Sequence, residues 1–239
     1  MNRFFVMNTF LALVGALSLN AGTIAYSDPA GQGTQAWGGN LALNFNVNSP
    51  IVITELGVFN TPGSPTTGAQ IQGAPAASPL GSGFITGPIQ VVIYDSTGTQ
   101  VTPIVTFAGS YGLGGLGYDV FQAIAPVVLA PGSYQVDAVG FSANDLNGNL
   151  NTGSSSGPLL NDGGGLLTFT GAAWDSSTVL DNPGGCPTCQ AAPIPQNSQF
   201  DAGTFQYSAV TPVPEPATFA LFGCGLIAVS AALRRRRVR

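Results

Sequence analysis

Cysteine chemistry is concentrated in the short segment GGCPTCQ. Cys186 and Cys189 have the CxxC spacing of a redox pair or of half a zinc site. Zinc needs four ligands, and the third cysteine, Cys224, lies in an apolar run near the C-terminus, so a cysteine site for zinc cannot be completed. The flanking prolines and glycines do not match the strand-to-helix context of a thioredoxin. We therefore expect a local disulfide between Cys186 and Cys189, formed in an oxidising compartment.

A second segment, NDLNGNLN, carries oxygen-bearing side chains at alternate positions. Asp145, Asn147 and Asn149 have a spacing that can direct several oxygens at one Ca²⁺. The match to a calcium loop is incomplete, because Gly148 comes early and Ser156 stands where a bidentate Glu is expected. Asn and Gly also favour turns without any ion. The segment is interpreted as a turn-forming loop, with a calcium site as the alternative, and we expect no other cofactor.

The side chains available for catalysis are few. Between Ser27 and Pro214 there are ten acids and no Lys, Arg or His, which rules out ordinary Ser-His and Ser-Lys pairs, histidine metal ligands and Schiff-base amines in this body. A carboxylate pair, as in glycoside hydrolysis, is still open. Glu55 is the only Glu of the body, and its place in IVITELGVF predicts the solvent face of a strand. The sequence favours a protein that is not an enzyme, with a carboxylate-dependent glycoside hydrolase as an alternative.

The charge distribution and the two tryptophans bear on the ligands of the body. All six basic residues lie at the two ends of the chain, so the body lacks the Lys and Arg that neutralise phosphates, and nucleic-acid binding is excluded for it. Trp37 and Trp174 are flanked by Gly, Asp and Ser and can stack on sugars if they are exposed, although aromatic residues in β-sandwiches are more often in the core. A carbohydrate-binding module for exopolysaccharide is therefore a further alternative.

The elements that must position these residues are short apolar or alternating runs separated by turn residues. From residue 26 to residue 211 they predict an all-β domain, an antiparallel β-sandwich with eight or nine strands. The run LALNFNV predicts a half-buried strand, because one of its faces is apolar. That face consists of Leu41, Leu43, Phe45 and Val47.

Individual residues refine this strand pattern. Gly57 predicts a bulge or kink in the strand Ile51–Phe59, and Pro103 predicts an edge strand or a bulge. A strand ending near Leu129 is followed by the turn Ala130–Gly132 and by a second strand that runs to Phe141. YDSTGTQV together with VVLAPGSYQVDAVGF resembles the immunoglobulin-like or jelly-roll-like modules of bacterial surface proteins. The segments 61–83 and 144–165 are predicted loops.

The N-terminal sequence MNRFFVMNTFLALVGALSLNAGTIAYS predicts a secretory signal peptide over residues 1–25. One Arg, an apolar run and then small residues form the expected pattern, and the clean apolar run is too short to cross hydrocarbon comfortably. Cleavage after Ser18, Ala21 or Ala25 leaves a small residue at the cut. The Sec translocon and signal peptidase are the partners that such a signal implies.

The C-terminal segment 212–239 has the features of a membrane anchor. Residues 217–233 carry no charge, and 17 residues in a helix extend about 25 Å at ~1.5 Å per residue, which just reaches across a bilayer core. The positive-inside rule predicts that the basic residues that follow hold this end in the cytoplasm. This cytoplasmic stop consists of Arg234, Arg235, Arg236 and Arg237.

A motif lies directly before the predicted span. Val213, Pro214, Glu215 and Pro216, with the glycine-containing apolar span and the Arg cluster, resemble the PEP-CTERM protein-sorting signal of Gram-negative bacteria. The resemblance implies export, a transient stay in the inner membrane, and processing by an exosortase near Pro214 to Pro216. Members of this family are associated with exopolysaccharide and biofilm matrix. Since the family shares the tail and not the body, the resemblance implies no activity for the body.

Overall fold

A computed structural model describes residues 22–27, 35–60, 84–111, 119–149, 159–182, 190–193 and 200–210. Over these ranges the regular elements are strands, and no helix long and apolar enough to cross a membrane occurs among them. Several predictions lie outside the described residues. These are the signal helix, the loop 61–83, the Cys186–Cys189 disulfide, the sorting motif, the span 217–233 and the Arg cluster.

The described residues form fourteen strands, of which eight have six residues or more, in agreement with the predicted number. The long strands coincide with the alternating runs of the sequence. In chain order the strands are β1 Thr23–Ile24, β2 Tyr26–Ser27, β3 Leu41–Val47, β4 Ile51–Phe59, β5 Phe84–Asp95, β6 Val105–Ser110, β7 Asp119–Leu129, β8 Gly132–Val139, β9 Gly148–Asn149, β10 Leu159–Leu160, β11 Leu167–Trp174, β12 Gln190–Pro193, β13 Phe200–Asp201 and β14 Gly203–Ala209.

Two larger sheets organise these strands, and every pairing in them is antiparallel. One sheet has the order β1-β14-β4-β7, and the other has the order β12-β11-β3-β8-β5-β6. The short strands β10 and β2 form one two-stranded ribbon, and β13 and β9 form another. The predicted all-β, antiparallel class is therefore confirmed.

A single apolar core is made by side chains from both large sheets. Phe45 of the six-stranded sheet and Phe205 of the four-stranded sheet are both fully buried, and their ring centroids are 4.9 Å apart. At Gly203 the sheets come so close that an added Cβ would lie 3.0 Å from the Cβ of Ala138. This arrangement, two antiparallel sheets with facing apolar sides, is the one that a β-sandwich requires.

Two predictions about strand irregularity have different outcomes. The register of β4 shifts between Ile53 and Glu55, so the bulge lies beside Thr54 and not at Gly57, and the prediction at Gly57 is wrong. Gly57 has a different role, because the ring of Phe121 occupies the space that a Cβ would need. Pro103 precedes β6, and β6 is an edge strand of its sheet, as predicted.

The Ala130–Gly132 turn connects the two large sheets. β7 ends and β8 begins on either side of this turn, as predicted, but β7 pairs with β4 while β8 pairs with β3 and β5. The turn therefore carries the chain across the core. In β8, Val136 and Ala138 face that core.

The folded body begins before residue 26. Thr23 and Ile24 pair with Tyr207 and Gln206 of β14, and Ala25 is fully buried. Cleavage after Ala25, one of the three positions that the sequence leaves open, would remove strand β1. Cleavage after Ser18 or Ala21 would keep it.

Candidate functional site

Of the predicted calcium residues, Asp145 lies where hydrogen-bond donors surround it, whereas Oδ1 of Asn147 is buried without a hydrogen-bond partner among the described residues. Asp145 is almost fully buried, and its carboxylate accepts hydrogen bonds from the backbone N–H groups of Thr86 at 2.8 Å and Gly87 at 3.0 Å, and from the Thr86 hydroxyl. Asn147 donates from Nδ2 to the carbonyl oxygen of Gln35 at 2.9 Å. The Asn149 side chain lies outside the described part. The Asp145 carboxylate thus ties its loop to the start of β5.

Glu55 and Trp174 are incorporated into the sheets, and Trp37 lies before β3. Glu55 is half-buried on β4, and its cross-strand neighbours are Gln206 and Ala123, neither of which is a second carboxylate. Both tryptophans are partly buried and pack against the core. The indole Nε1 of Trp37 donates to the carbonyl oxygen of Asp175 at 3.0 Å.

The outer face of the six-stranded sheet contains a polar cleft with a volume of about 260 Å³. Its wall is built by outward-facing residues of β3 and β8, such as Asn44, which lies opposite Gln135 in the register of the two strands. Ser133 on β8 donates to Oδ1 of Asn46 at 2.8 Å. Amides and hydroxyls dominate the lining, which includes Asn44, Asn46, Ser133, Gln135, Thr170 and Asn182.

A turn after β5 forms one side of this cleft and contributes a charge. Asp95 lines the cleft and accepts hydrogen bonds from the Thr97 hydroxyl at 2.6 Å and from the backbone N–H of Thr99 at 2.9 Å. The Thr97 hydroxyl and the Thr99 N–H lower the pKa of Asp95, so that this carboxylate is ionised at neutral pH. The cleft is therefore polar and anionic.

The other side of the cleft is a segment that the sequence analysis did not single out. Residues 175–182 follow β11 and approach the outer face at Asp137, which lies in β8 between Ala42 of β3 and Val92 of β5. All three of these residues are buried. Ala42 was predicted on the exposed side of β3, and it is buried because the segment covers this part of the outer face.

Asp137 is the most unusual ionisable group of this face. Its side chain is fully buried, and neither carboxylate oxygen makes a hydrogen bond of normal geometry. Burial raises the pKa of Asp137 well above its usual value, and the nearby charges of Asp181 and Asp175 raise it further, while the N–H groups of Ala138 and Asn182 oppose the shift more weakly. No alternation in the residue types of the segment marks this cluster, since Ser176 and Thr178 are polar and Val179 is apolar.

Comparison with protein families identifies the tail. A model of the PEP-CTERM protein-sorting motif matches residues 212–237. No curated protein matches the chain. The match covers the segment in which the sequence analysis found the Pro-Glu-Pro motif, the apolar span and the Arg cluster.

Proposed function

We propose that this PEP-CTERM protein is a non-catalytic structural component of the extracellular polysaccharide matrix. The sorting motif implies an exported protein with an exosortase as its processing partner. The observation that carries the proposal is the contrast between tail and body, since five of the six basic residues lie in the last six positions, while the body holds ten acids and no base. Processing near Pro214–Pro216 would release an acidic β-domain.

The composition of the body supports a structural role. Hydroxyl and amide side chains line the cleft on the outer face of the six-stranded sheet, and such groups hydrogen-bond to neutral sugars without needing a charged ligand. A body without Lys, Arg or His also lacks the usual acid–base and nucleophilic pairs, so that passive association with hydrated polysaccharide fits it better than turnover.

The first prediction concerns the mature C-terminus. We expect mass spectrometry of the extracellular protein from the native host to find a chain that ends near Pro214–Pro216 and lacks Arg234–Arg237. In a variant with Pro214, Glu215 and Pro216 replaced by Ala, the tail should be retained, and the protein should accumulate in the membrane fraction. An extracellular chain that still ends at Arg239 would contradict exosortase processing.

A second candidate function, carbohydrate binding, is favoured by the cleft itself. The cleft is concave, lies on an open sheet face, and presents side chains that can both donate and accept hydrogen bonds. Glycan binding at such a site would depend on the amides in its floor. Asn44 is suited to a test because it is half-buried and makes its cross-strand contacts through the backbone.

The second prediction follows from this candidate. The protein should be retained by the exopolysaccharide of its own host in a pull-down assay, and Asn44→Leu should reduce retention at least fivefold by removing a donor and an acceptor from the cleft. Val128→Asn, at an exposed position of β7 in the other sheet, is the matched control and should leave retention unchanged. If both variants bind as well as the native chain, the cleft is not the binding site.

A further inference from the structure

Four oxygen atoms of the segment 175–181 converge on one point beside the start of β3. At that point is the amide nitrogen Nδ2 of Asn40, which is fully buried. The four oxygens belong to alternate residues of the segment, two as carboxylates and two as main-chain carbonyls. They are Asp175 Oδ1 at 3.2 Å, Ser177 O at 3.3 Å, Val179 O at 2.7 Å and Asp181 Oδ1 at 2.8 Å.

This convergence exceeds what an amide group can satisfy. An Asn Nδ2 carries two hydrogens, so it can donate well to two oxygens and not to four. The other atom of the same amide, Asn40 Oδ1, is buried and has no hydrogen-bond partner. Two of the four oxygens also accept from Ser177, Asp175 Oδ1 from its N–H at 2.8 Å and Val179 O from its hydroxyl at 3.1 Å. Asn40 Nδ2 is thus crowded by acceptors, while Asn40 Oδ1 has no donor among the described residues.

Asp137 is a separate indication that the site lacks positive charge. Its carboxylate lies beneath the segment, fully buried and without a hydrogen bond of normal geometry. It faces Asp181 and Asp175, whose charges raise its pKa, and Asp137 and Asp181 in turn raise the pKa of Tyr94 on β5 after the larger effect of burial. Three carboxylates thus share one region of the outer face.

The body of the chain offers no cation to this region. No Lys, Arg or His occurs between Ser27 and Pro214. Within the described ranges, no three side chains of the His, Cys, Asp and Glu types are arranged as metal ligands. The oxygen set around Asn40 is of another kind, because two of its oxygens are main-chain carbonyls and one is an amide oxygen. Such mixed oxygen sets are typical of Ca²⁺ and do not suit zinc.

We propose that residues 175–181 and Asn40 form a Ca²⁺ site. The amide turns so that Oδ1 takes the position of Nδ2, and the ion lies between Oδ1 and the converging oxygens. Asp175, Ser177, Val179 and Asp181 contribute the four converging oxygens, and the ligand distances shorten to the ~2.3–2.6 Å of calcium coordination. Asp137 adds a third negative charge below the ion.

The site would connect elements that are distant in sequence. One ion would be coordinated both by the segment after β11 and by Asn40 before β3, and it would attract the Asp137 carboxylate in the middle of β8. Asp181 is exposed, so the ion can enter from solvent. With only two carboxylate ligands, the affinity should resemble that of extracellular calcium modules, with a Kd of roughly 10⁻⁴–10⁻³ M. Calcium would then stabilise the wall of the polar cleft after export.

Terbium luminescence tests this site on the full chain in detergent. Tb³⁺ replaces Ca²⁺ at oxygen sites, and Trp37, which donates to the Asp175 carbonyl at 3.0 Å, is close enough to transfer its excitation to the ion. We expect tryptophan-excited Tb³⁺ emission that millimolar Ca²⁺ competes away. The double variant Asp175→Asn with Asp181→Asn should lower the affinity for Tb³⁺ at least tenfold. The matched control Asp162→Asn, in an exposed turn near β14, should leave it unchanged.

A variant with a gain of affinity keeps the test decisive if the double variant folds poorly. Asn40→Asp removes the amide donor and adds a carboxylate oxygen, so it should tighten Ca²⁺ binding at least threefold and lower stability in chelator. If Asn40 serves only as a hydrogen-bond donor, the variant loses stability and gains no affinity, and the proposal is wrong. Absence of Ca²⁺-competed emission from the native chain, or equal emission from the double variant, would also overturn it.

Discussion

Two segments of this protein place oxygens at alternate residues and have different local structures. In the 145–149 segment, Asp145, Asn147 and Asn149 alternate with other residue types, and in the 175–181 segment the oxygens that converge on Asn40 belong to residues 175, 177, 179 and 181. In the first segment, the Asp145 carboxylate is saturated by N–H and O–H donors at the start of β5. In the second, four oxygens converge on the single amide nitrogen of Asn40, two of them also accept from Ser177, and the buried carboxylate of Asp137 lies nearby.

The difference shows that alternate spacing alone does not specify an ion site. A carboxylate is stabilised either by hydrogen-bond donors or by a cation, and the fold decides which of the two is near. Free N–H groups at the start of β5 meet Asp145. The segment after β11 instead meets Asn40, which has one NH₂ group, and Asp137, which has no donor to offer. The two loops can therefore be distinguished by experiment.

The largest effect is expected at the saturated carboxylate. Asp145→Ala would leave the N–H groups of Thr86 and Gly87 without their acceptor and would leave a gap in a buried position, so the free energy of unfolding should fall by about 2–3 kcal/mol. Denaturant titration of the full chain, with calcium and with chelator, measures this loss. We expect the same loss in both conditions.

Calcium dependence of this loss would reverse the comparison. If Asp145→Ala is harmless in chelator and costly only in calcium, then Asp145 holds an ion, as the alternative interpretation of the NDLNGNLN segment predicts. The milder substitution Asp145→Asn keeps one acceptor oxygen and should give an intermediate loss of stability.

The strands could be predicted from the sequence because their signal is local. In β3 the residues Leu41, Leu43 and Phe45 face the core as their alternation indicates, and the same holds for Val136 and Ala138 in β8. The positions of the strands within the two sheets were not predictable in this way. A turn such as Ala130–Gly132 looks the same whether the chain returns within one sheet or crosses to the other.

The candidate calcium site could not be predicted for a related reason. Ser177 and Val179 contribute carbonyl oxygens, and a main-chain carbonyl leaves no trace in the residue type. Asn40 and Asp137 come from positions far from the segment, so their approach depends on the pairing of β3 with β8. Local periodicity identified Asp145 and Asn147, whereas the tertiary fold brought together the oxygens that converge on Asn40.

Substitution of Asp137 is expected to change the free energy of unfolding less than Asp145→Ala does, and in the opposite direction. Burial and the charges of Asp181 and Asp175 raise its pKa in the folded state, so the folded protein holds a proton that the unfolded chain loses near pH ~3.9. Stability in chelator should therefore be highest below that pH and should fall as the pH rises through the raised pKa. Asn cannot ionise, so Asp137→Asn should remove this fall and stabilise the protein at pH 7.

Matched Asp→Asn substitutions at the two segments then give the sharpest form of the comparison. In chelator at pH 7, Asp145→Asn should destabilise the protein, because its donors lose a charged acceptor, while Asp137→Asn should stabilise it, because Asn stays neutral in the buried position without taking up a proton. Added calcium should stabilise the native chain more than the Asp137→Asn variant, since the ion is attracted by the charge that the variant lacks. Equal losses at both positions, independent of pH and calcium, would mean that the Asp137 carboxylate is already satisfied in the folded protein and that the two segments do not differ.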